Sequence, residues 1–240
     1  MSNILGGSGP FFIASVLMFG HYSLHAQNGA ETDSLLRQNK ISYQPKRITG
    51  KSFIIPAALI TTGALGISGE FVISNPEIKE EHDEHFATFH TNVDDYLQYA
   101  PIVAGYAMLI NNPQHSFWKY TEKVVLAEVI MNGLVYSTKN ITKVPRPDTG
   151  APTSFPSGHT AQAFAGATIF SDEFAQHNTL LAISAYASAS AVGVLRVLNN
   201  RHWASDVIAG AGFGILSAKI SEWIVQPHYK RTHSTYAYHF

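Results

Sequence analysis

Pro156-Ser157-Gly158-His159-Thr160-Ala161-Gln162-Ala163-Phe164-Ala165-Gly166-Ala167 is the stretch on which the fold turns. Ahead of it lies a loop carrying Pro145, Pro147, Pro152 and Pro156, and prolines this dense prevent a helix by fixing φ and removing amide donors. After Ser157 the prolines stop and the chain becomes rich in Ala, Gly and Thr, a composition that lets helices approach closely. A helix is therefore expected from Thr160 to near Ala175. The same small-residue character recurs from Thr179 to near Leu198 and from Trp203 to Val225.

Toward the N-terminus, Phe117 to Ser137 reads as an amphipathic helix carrying Glu122, Lys123 and Glu128. Tyr96 to Ile110 is an apolar stretch ended by Asn111-Asn112-Pro113. Phe53 to Ser74 is apolar but for Glu70, long enough for a core helix or a bilayer span. No run alternates with period two, so strands are not expected, and no internal repeat is visible. The expected fold is all-α: a single bundle of about six helices over residues 51–240, with its functional site at one end, formed by loops between helices.

Charged residues make up 14% of the 240-residue chain, against about 25% in an average soluble domain. With 45% apolar residues, this suggests helices that bury most of their surface in protein or lipid. A net charge of -1 points to no polyanion and no nucleic-acid partner. The absence of cysteine excludes disulfides and thiolate metal sites. Phe11 to Phe19 is too short to span a bilayer. Followed by Ser23-Leu24-His25-Ala26-Gln27, it reads as a secretory signal peptide, residues 1–26, although no Lys or Arg precedes it. The alternative is a buried or interfacial N-terminal segment. Residues 27–50 read as a polar linker. Residues 75–95, with Glu80-Glu81-His82-Asp83-Glu84-His85, read as a solvated or interfacial segment. His82, His85 and His90 there match no standard metal-ligand spacing. Tyr229 to Phe240 is an aromatic and basic tail suited to a membrane surface.

Three blocks carry potential chemistry. In Lys139-Asn140-Ile141-Thr142-Lys143-Val144-Pro145-Arg146-Pro147, one cation ends a helix and another sits in a proline-stiffened loop. Such a pair suits an anion with several oxygens, though a solvated basic loop reads the same way. In Ser154-Phe155-Pro156-Ser157-Gly158-His159-Thr160, Ser157 and Gly158 stand where a helix starts and backbone N–H groups favour anions. His159 adds a proton donor; capping would explain the serine alone. In the third block, which runs from Leu195 to Asp206, His202 and Asp206 are four apart and share a helical face. A carboxylate on one ring nitrogen fixes the tautomer and leaves the other free to attack; an ordinary helical pair has the same spacing.

In this order and spacing the blocks resemble the signature of the type 2 phosphatidic acid phosphatase superfamily: Lys, six residues, Arg-Pro; Pro-Ser-Gly-His; Ser-Arg, five residues, His, three residues, Asp. Lys139 and Arg146-Pro147 match the first part, Pro156-Ser157-Gly158-His159 the second, and Arg196, His202 and Asp206 the third. Leu195 departs from the pattern, standing where the family usually has Ser. The resemblance implies a phosphatase in which His202 is the nucleophile, Asp206 orients it, and His159 is the acid and then the base. Lys139, Arg146, Arg196 and the Ser157–Gly158 backbone would bind phosphate. No cofactor or metal is implied, because three cations already neutralise the phosphate. Trp203 reads as packing, and Lys143 and Arg201 as outer-rim charges.

The Ala/Gly-rich helices favour a lipid phosphate or diphosphate: a phosphatidylglycerol phosphate, a polyprenyl diphosphate or a lipid A phosphate. The expected location is a bacterial cell envelope, membrane-associated with the site facing the periplasm, or periplasmic. A soluble periplasmic acid phosphatase is the alternative, followed by a vanadium haloperoxidase and a non-catalytic membrane bundle. Lys46, Arg47 and Lys51 before the first long helix, and Lys230 and Arg231 after the last, place both ends in the cytoplasm by the positive-inside rule. A cleaved signal peptide would instead start the chain outside, and charge counts do not choose between the two.

Overall fold

The structure, a computed structural model, describes residues 47–67, 75–176 and 178–226. The expected signal peptide, nearly all of the linker and the aromatic tail lie outside the described residues, as do residues 68–74 of the first expected helix. Among the described residues the chain is all helix and connection, with no strand. The helices are α1 (Ile54–Ile67, entered through a 3-10 turn at Gly50–Phe53), α2 (Asn75–His85), α3 (Val93–Leu97), α4 (Ala100–Asn111), α5 (Phe117–Thr142), α6 (Gly158–Phe174), α7 (Thr179–Leu198) and α8 (Ala204–Val225). The six expected helices correspond to α1 and α4 to α8, and α2 and α3 are additional.

The helix starts follow from local chemistry. Ser116, Ser157 and Asn178 precede α5, α6 and α7, and each side chain accepts the backbone N–H three residues on, satisfying one donor that the first turn leaves unpaired. Pro101 sits in the first turn of α4, where its missing N–H costs nothing.

Helix α8 is the central element, packed against α1, α5 and α6. Its small residues make this possible. A Cβ on Gly214 would lie 2.2 Å from the Ala161 carbonyl oxygen of α6, and one on Gly210 would lie 2.6 Å from that of Ser157. On the α1 side, a Cβ on Gly212 would meet the Pro56 carbonyl oxygen at 2.8 Å. Around this axis the apolar core is shared out. Met131 and Val135 of α5 join Phe155, Ala161 and Phe213 near the loop-bearing end. Tyr120, Val124, Ile169 and Ala218 fill the other end. Charges inside the bundle are paired, as burial demands: Glu173 meets His115 at 2.7 Å and Lys123 at 2.6 Å, and Lys219 bridges Asp172 and Glu222.

Segment 75–95 is mostly exposed, in keeping with the solvated reading, with His82 and Asp94 buried. It folds as α2 and α3 and is held by polar hooks rather than by an apolar face. The Asn75 side-chain amide donates to Ser205 Oγ (2.9 Å) and to the Gly66 carbonyl (3.2 Å). His82 is buried, with Nε2 3.0 Å from the Leu198 carbonyl oxygen at the end of α7.

Among the described residues, three helical stretches are long and apolar enough to cross a membrane: Gly50–Ile67, Thr179–Leu198 and Ala204–Val225. The first two expose large apolar side chains such as Ile54, Ile55, Leu180 and Ile183, whereas the third is largely enclosed by its neighbours.

Candidate active site

Four helix ends meet at one end of the bundle. Helix α5 stops where Lys143 takes a left-handed conformation (φ 49°) and its amide bonds the Lys139 carbonyl at 3.0 Å. Helix α7 stops in a Schellman arrangement: the Arg201 amide bonds the Arg196 carbonyl (3.0 Å), the Asn200 amide bonds that of Val197 (2.8 Å), and Asn200 is left-handed (φ 55°). Asparagine tolerates that conformation. The reversal presents His202 immediately before α8, while α6 begins at Gly158, tied back by a Ser157 amide bond to the Asp206 carbonyl (3.0 Å).

His202 is buried, 3% exposed, with Nδ1 3.3 Å from Asp206 Oδ2. That same oxygen accepts the Ser154 hydroxyl (2.5 Å) and the Trp203 amide (2.9 Å), so the carboxylate also completes the first turn of α8. Burial pushes the proton affinity of His202 down, to a pKa of about 4, against the opposing pull of Asp206. The ring is therefore neutral near pH 7, the form in which a nitrogen lone pair is available.

The cations converge on this pair. Lys139 Nζ donates to the carbonyls of Thr153 (2.5 Å) and Ser154 (3.0 Å), pinning the proline loop to the end of α5. Burial first, then the nearby positive charge of Arg146, lowers its pKa to about 8. Arg146 is likewise lowered, by burial and then by Arg196. The Nε atoms of Arg146 and Arg196 are buried with no hydrogen-bond partner among the described residues. Two buried, unpaired guanidinium donors beside a lysine form a site suited to an anion with several oxygens. Ser157 spends its hydroxyl on capping, with the Thr160 hydroxyl donating to it at 2.9 Å, and its amide on Asp206. The next amides, Gly158 and His159, belong to the first turn of α6, which has no intrahelical acceptor for them. His159 is partly exposed, and its Nε2 lies 2.9 Å from Asp95 Oδ1.

Residues 117–230, a span that holds every one of these motif residues, match the PAP2 superfamily. Lipid A 1-phosphatase of Porphyromonas gingivalis is 39% identical over 140 residues, which is 57% of this chain and 32% of that protein. The chain thus spans about a third of the length of that curated relative. The crystal structure of Aquifex aeolicus LpxE is 26% identical and covers 59% of this chain and 92% of its own, with a TM-score of 0.43. That of the transmembrane PAP2-type phosphatidylglycerolphosphate phosphatase from Bacillus subtilis covers 71% of this chain and 95% of its own, at 16% identity and a TM-score of 0.52. The latter is a likeness of fold.

The candidate site includes residues that sequence reading did not single out. Asp94 is 1% exposed and binds Arg196 Nη1 at 2.6 Å. Asn199 donates to Asp94 Oδ1 (3.0 Å) and exchanges two 2.9 Å bonds with the backbone of Thr91. Ser154 and Asp95 complete the set. Ser154 lies inside a block that reads as phosphate-binding, so its position was a usable signal. Asp94 lies 102 residues from Arg196 and Asp95 64 residues from His159, and no local pattern marks them. Trp203 is half-buried and donates its indole N–H to the Pro145 carbonyl (2.8 Å), while Arg201 pairs with Asp148 at 3.1 Å on the rim.

Proposed function

We propose that this chain is a phosphatase that hydrolyses a phosphate monoester or diphosphate of a membrane lipid through a phosphohistidine on His202. The observation that carries this reading is the pairing of a buried, neutral, aspartate-held His202 with two buried guanidinium Nε donors that no acceptor among the described residues satisfies. With Nδ1 turned to Asp206, Nε2 of His202 attacks phosphorus. The N–P bond forms, the P–O bond to the leaving group breaks, and its electron pair stays on that oxygen, which takes a proton from His159. Water, deprotonated by His159, then attacks phosphorus, and the N–P bond breaks with its electrons returning to the ring. Lys139, Arg146 and Arg196 stabilise the equatorial oxygens, the main protein contribution to phosphoryl transfer.

Three apolar helical stretches and the exposed apolar faces of two of them support association with a membrane. Similarity to a lipid A 1-phosphatase supports a lipid A phosphate as the first substrate to test, ahead of phosphatidylglycerol phosphate and polyprenyl diphosphate. We place the site on the periplasmic face of a bacterial envelope. The test is phosphate release from these lipids and from soluble esters, after detergent-free fractionation, by wild type, His202→Ala and His159→Ala. Both variants should lose turnover, vanadate should inhibit, and EDTA should have no effect. Near-normal activity in folded His202→Ala would overturn the mechanism. Activity confined to soluble esters in the soluble fraction would favour a soluble acid phosphatase.

A further inference from the structure

We propose that Asp95 is the positioning residue of His159, holding its ring and its proton for transfer to the leaving group. The inference rests on the phosphatase reading above, in which His159 is the acid. Each of the two site histidines then has its own carboxylate: Asp206 for His202, and Asp95 for His159, with Oδ1 2.9 Å from Nε2.

The two environments differ in the way the two roles require. Asp206 is fully buried and its histidine is neutral, which suits a nucleophile. Asp95 is about half exposed and His159 about a third, so this pair is open to solvent. The charged groups acting on His159 are Arg196 on α7 and Asp95 and Asp94 on α3. Burial and Arg196 both disfavour its protonated form, and the two aspartates oppose them. Asp94 is already committed to Arg196 and Asn199, so Asp95 is the carboxylate in contact with the ring. A general acid must hold its proton near the working pH, and here that proton depends on Asp95.

An exposed carboxylate–histidine pair on a loose loop would do little. Asp95 is not on a loose loop. Its neighbour Asp94 and the preceding Thr91 are both clamped to the end of α7 through Arg196 and Asn199. The turn is thus registered against the same helix end that presents Arg196 and His202. Asp95 Oδ1 also lies 3.7 Å from Arg196 Nη1, so it lies between the acid and a phosphate-binding cation.

The test uses the full chain in detergent and two readouts. Histidine-ring NMR, with the His159 signal assigned by loss in His159→Gln, follows its titration directly. In Asp95→Asn, His159 should lose its proton at lower pH, with a protonated fraction at pH 6.5 reduced roughly threefold or more; Asp95→Glu should restore it, and Asp83→Asn should leave it unmoved. With lipid A dispersed in detergent, Asp95→Asn should lower kcat about tenfold at pH 7, recover as the pH is lowered, and change KM little. An unmoved His159 titration, a loss of kcat equal at every pH, or a faster Asp95→Asn enzyme (a carboxylate that merely blocks the phosphate site) would each overturn the proposal. No phosphate release by wild type would instead count against the functional reading, while the NMR titration would still judge the pair.

Discussion

The Ser154 hydroxyl donates to Asp206 at 2.5 Å, on the same oxygen that faces His202. Ser154 thereby fixes the carboxylate that holds His202, the proposed nucleophile. Hydrogen bonds to a charged, buried group contribute about 1.5–3 kcal/mol, so Ser154→Ala should lower kcat by roughly tenfold or more and leave KM little changed. Asp206→Asn removes the charge that stabilises a positive ring and permits the wrong tautomer, so its loss of kcat should be larger, on the order of 10³–10⁴. Steady-state phosphate release by the two variants checks the order. Equal activity in Ser154→Ala and wild type would show that the Trp203 amide alone suffices to hold Asp206.

The buried, neutral state of His202 also makes stability depend on pH. Its pKa is about 4 in the fold and about 6.5 in an unfolded chain. Between those values the unfolded state binds the proton and the folded state does not, so stability falls as pH falls from about 6.5 to about 4. The contribution is on the order of 3 kcal/mol at full extent. Thermal unfolding in detergent across this window should show a steeper fall in Tm for wild type than for His202→Gln. Parallel curves would mean that other groups dominate the acid limb.

How much of this was legible in the sequence follows from the kind of force involved. Helices α6, α7 and α8 announce themselves through small residues and proline boundaries, because close packing demands Gly and Ala at particular positions. The motif residues from Lys139 to Asp206 are legible because their spacing in the chain is tied to helix ends that meet. Helix α2 was not legible: its sequence is nearly all charge, and what holds it is Asn75 reaching Ser205 and His82 reaching Leu198. Asp94 and Asp95 were invisible for the same reason, since only the tertiary fold brings α3 against the end of α7.

That contact leads to a prediction about Arg196. Asp94 is 1% exposed and Arg196 7%, and their 2.6 Å ion pair crosses from α3 to α7. Removing one member of a buried pair leaves the other uncompensated, at a cost of about 3–5 kcal/mol. Asp94→Ala should therefore lower Tm strongly and raise KM, because Arg196 loses the partner that aims its guanidinium. Asp94→Asn, which keeps a hydrogen-bond acceptor, should lose less stability. Melting curves beside KM for both variants check the pair, and an unchanged KM in Asp94→Ala would show that Arg196 is aimed by other contacts.

The position of the whole site depends on how closely α6 and α8 lie, because one helix starts at Gly158 and the other just after His202 and Trp203. Gly214 sets that distance. A Cβ there would stand 2.2 Å from the Ala161 carbonyl oxygen and 2.9 Å from the Ala165 nitrogen, both backbone atoms that cannot rotate away. Gly214→Ala must therefore push the helices apart, with a loss of roughly 1–3 kcal/mol or more and a fall in kcat from the misplaced His159. Gly133, on α5, is the internal control: a Cβ there meets nothing within 4 Å. Since glycine inside a helix costs about 0.5–1 kcal/mol relative to alanine, Gly133→Ala should raise Tm and leave kcat unchanged. Thermal unfolding and turnover of both variants in one detergent separate a packing constraint from helix propensity. A Gly214→Ala protein as stable and active as wild type would place the spacing of α6 and α8 under the control of other contacts.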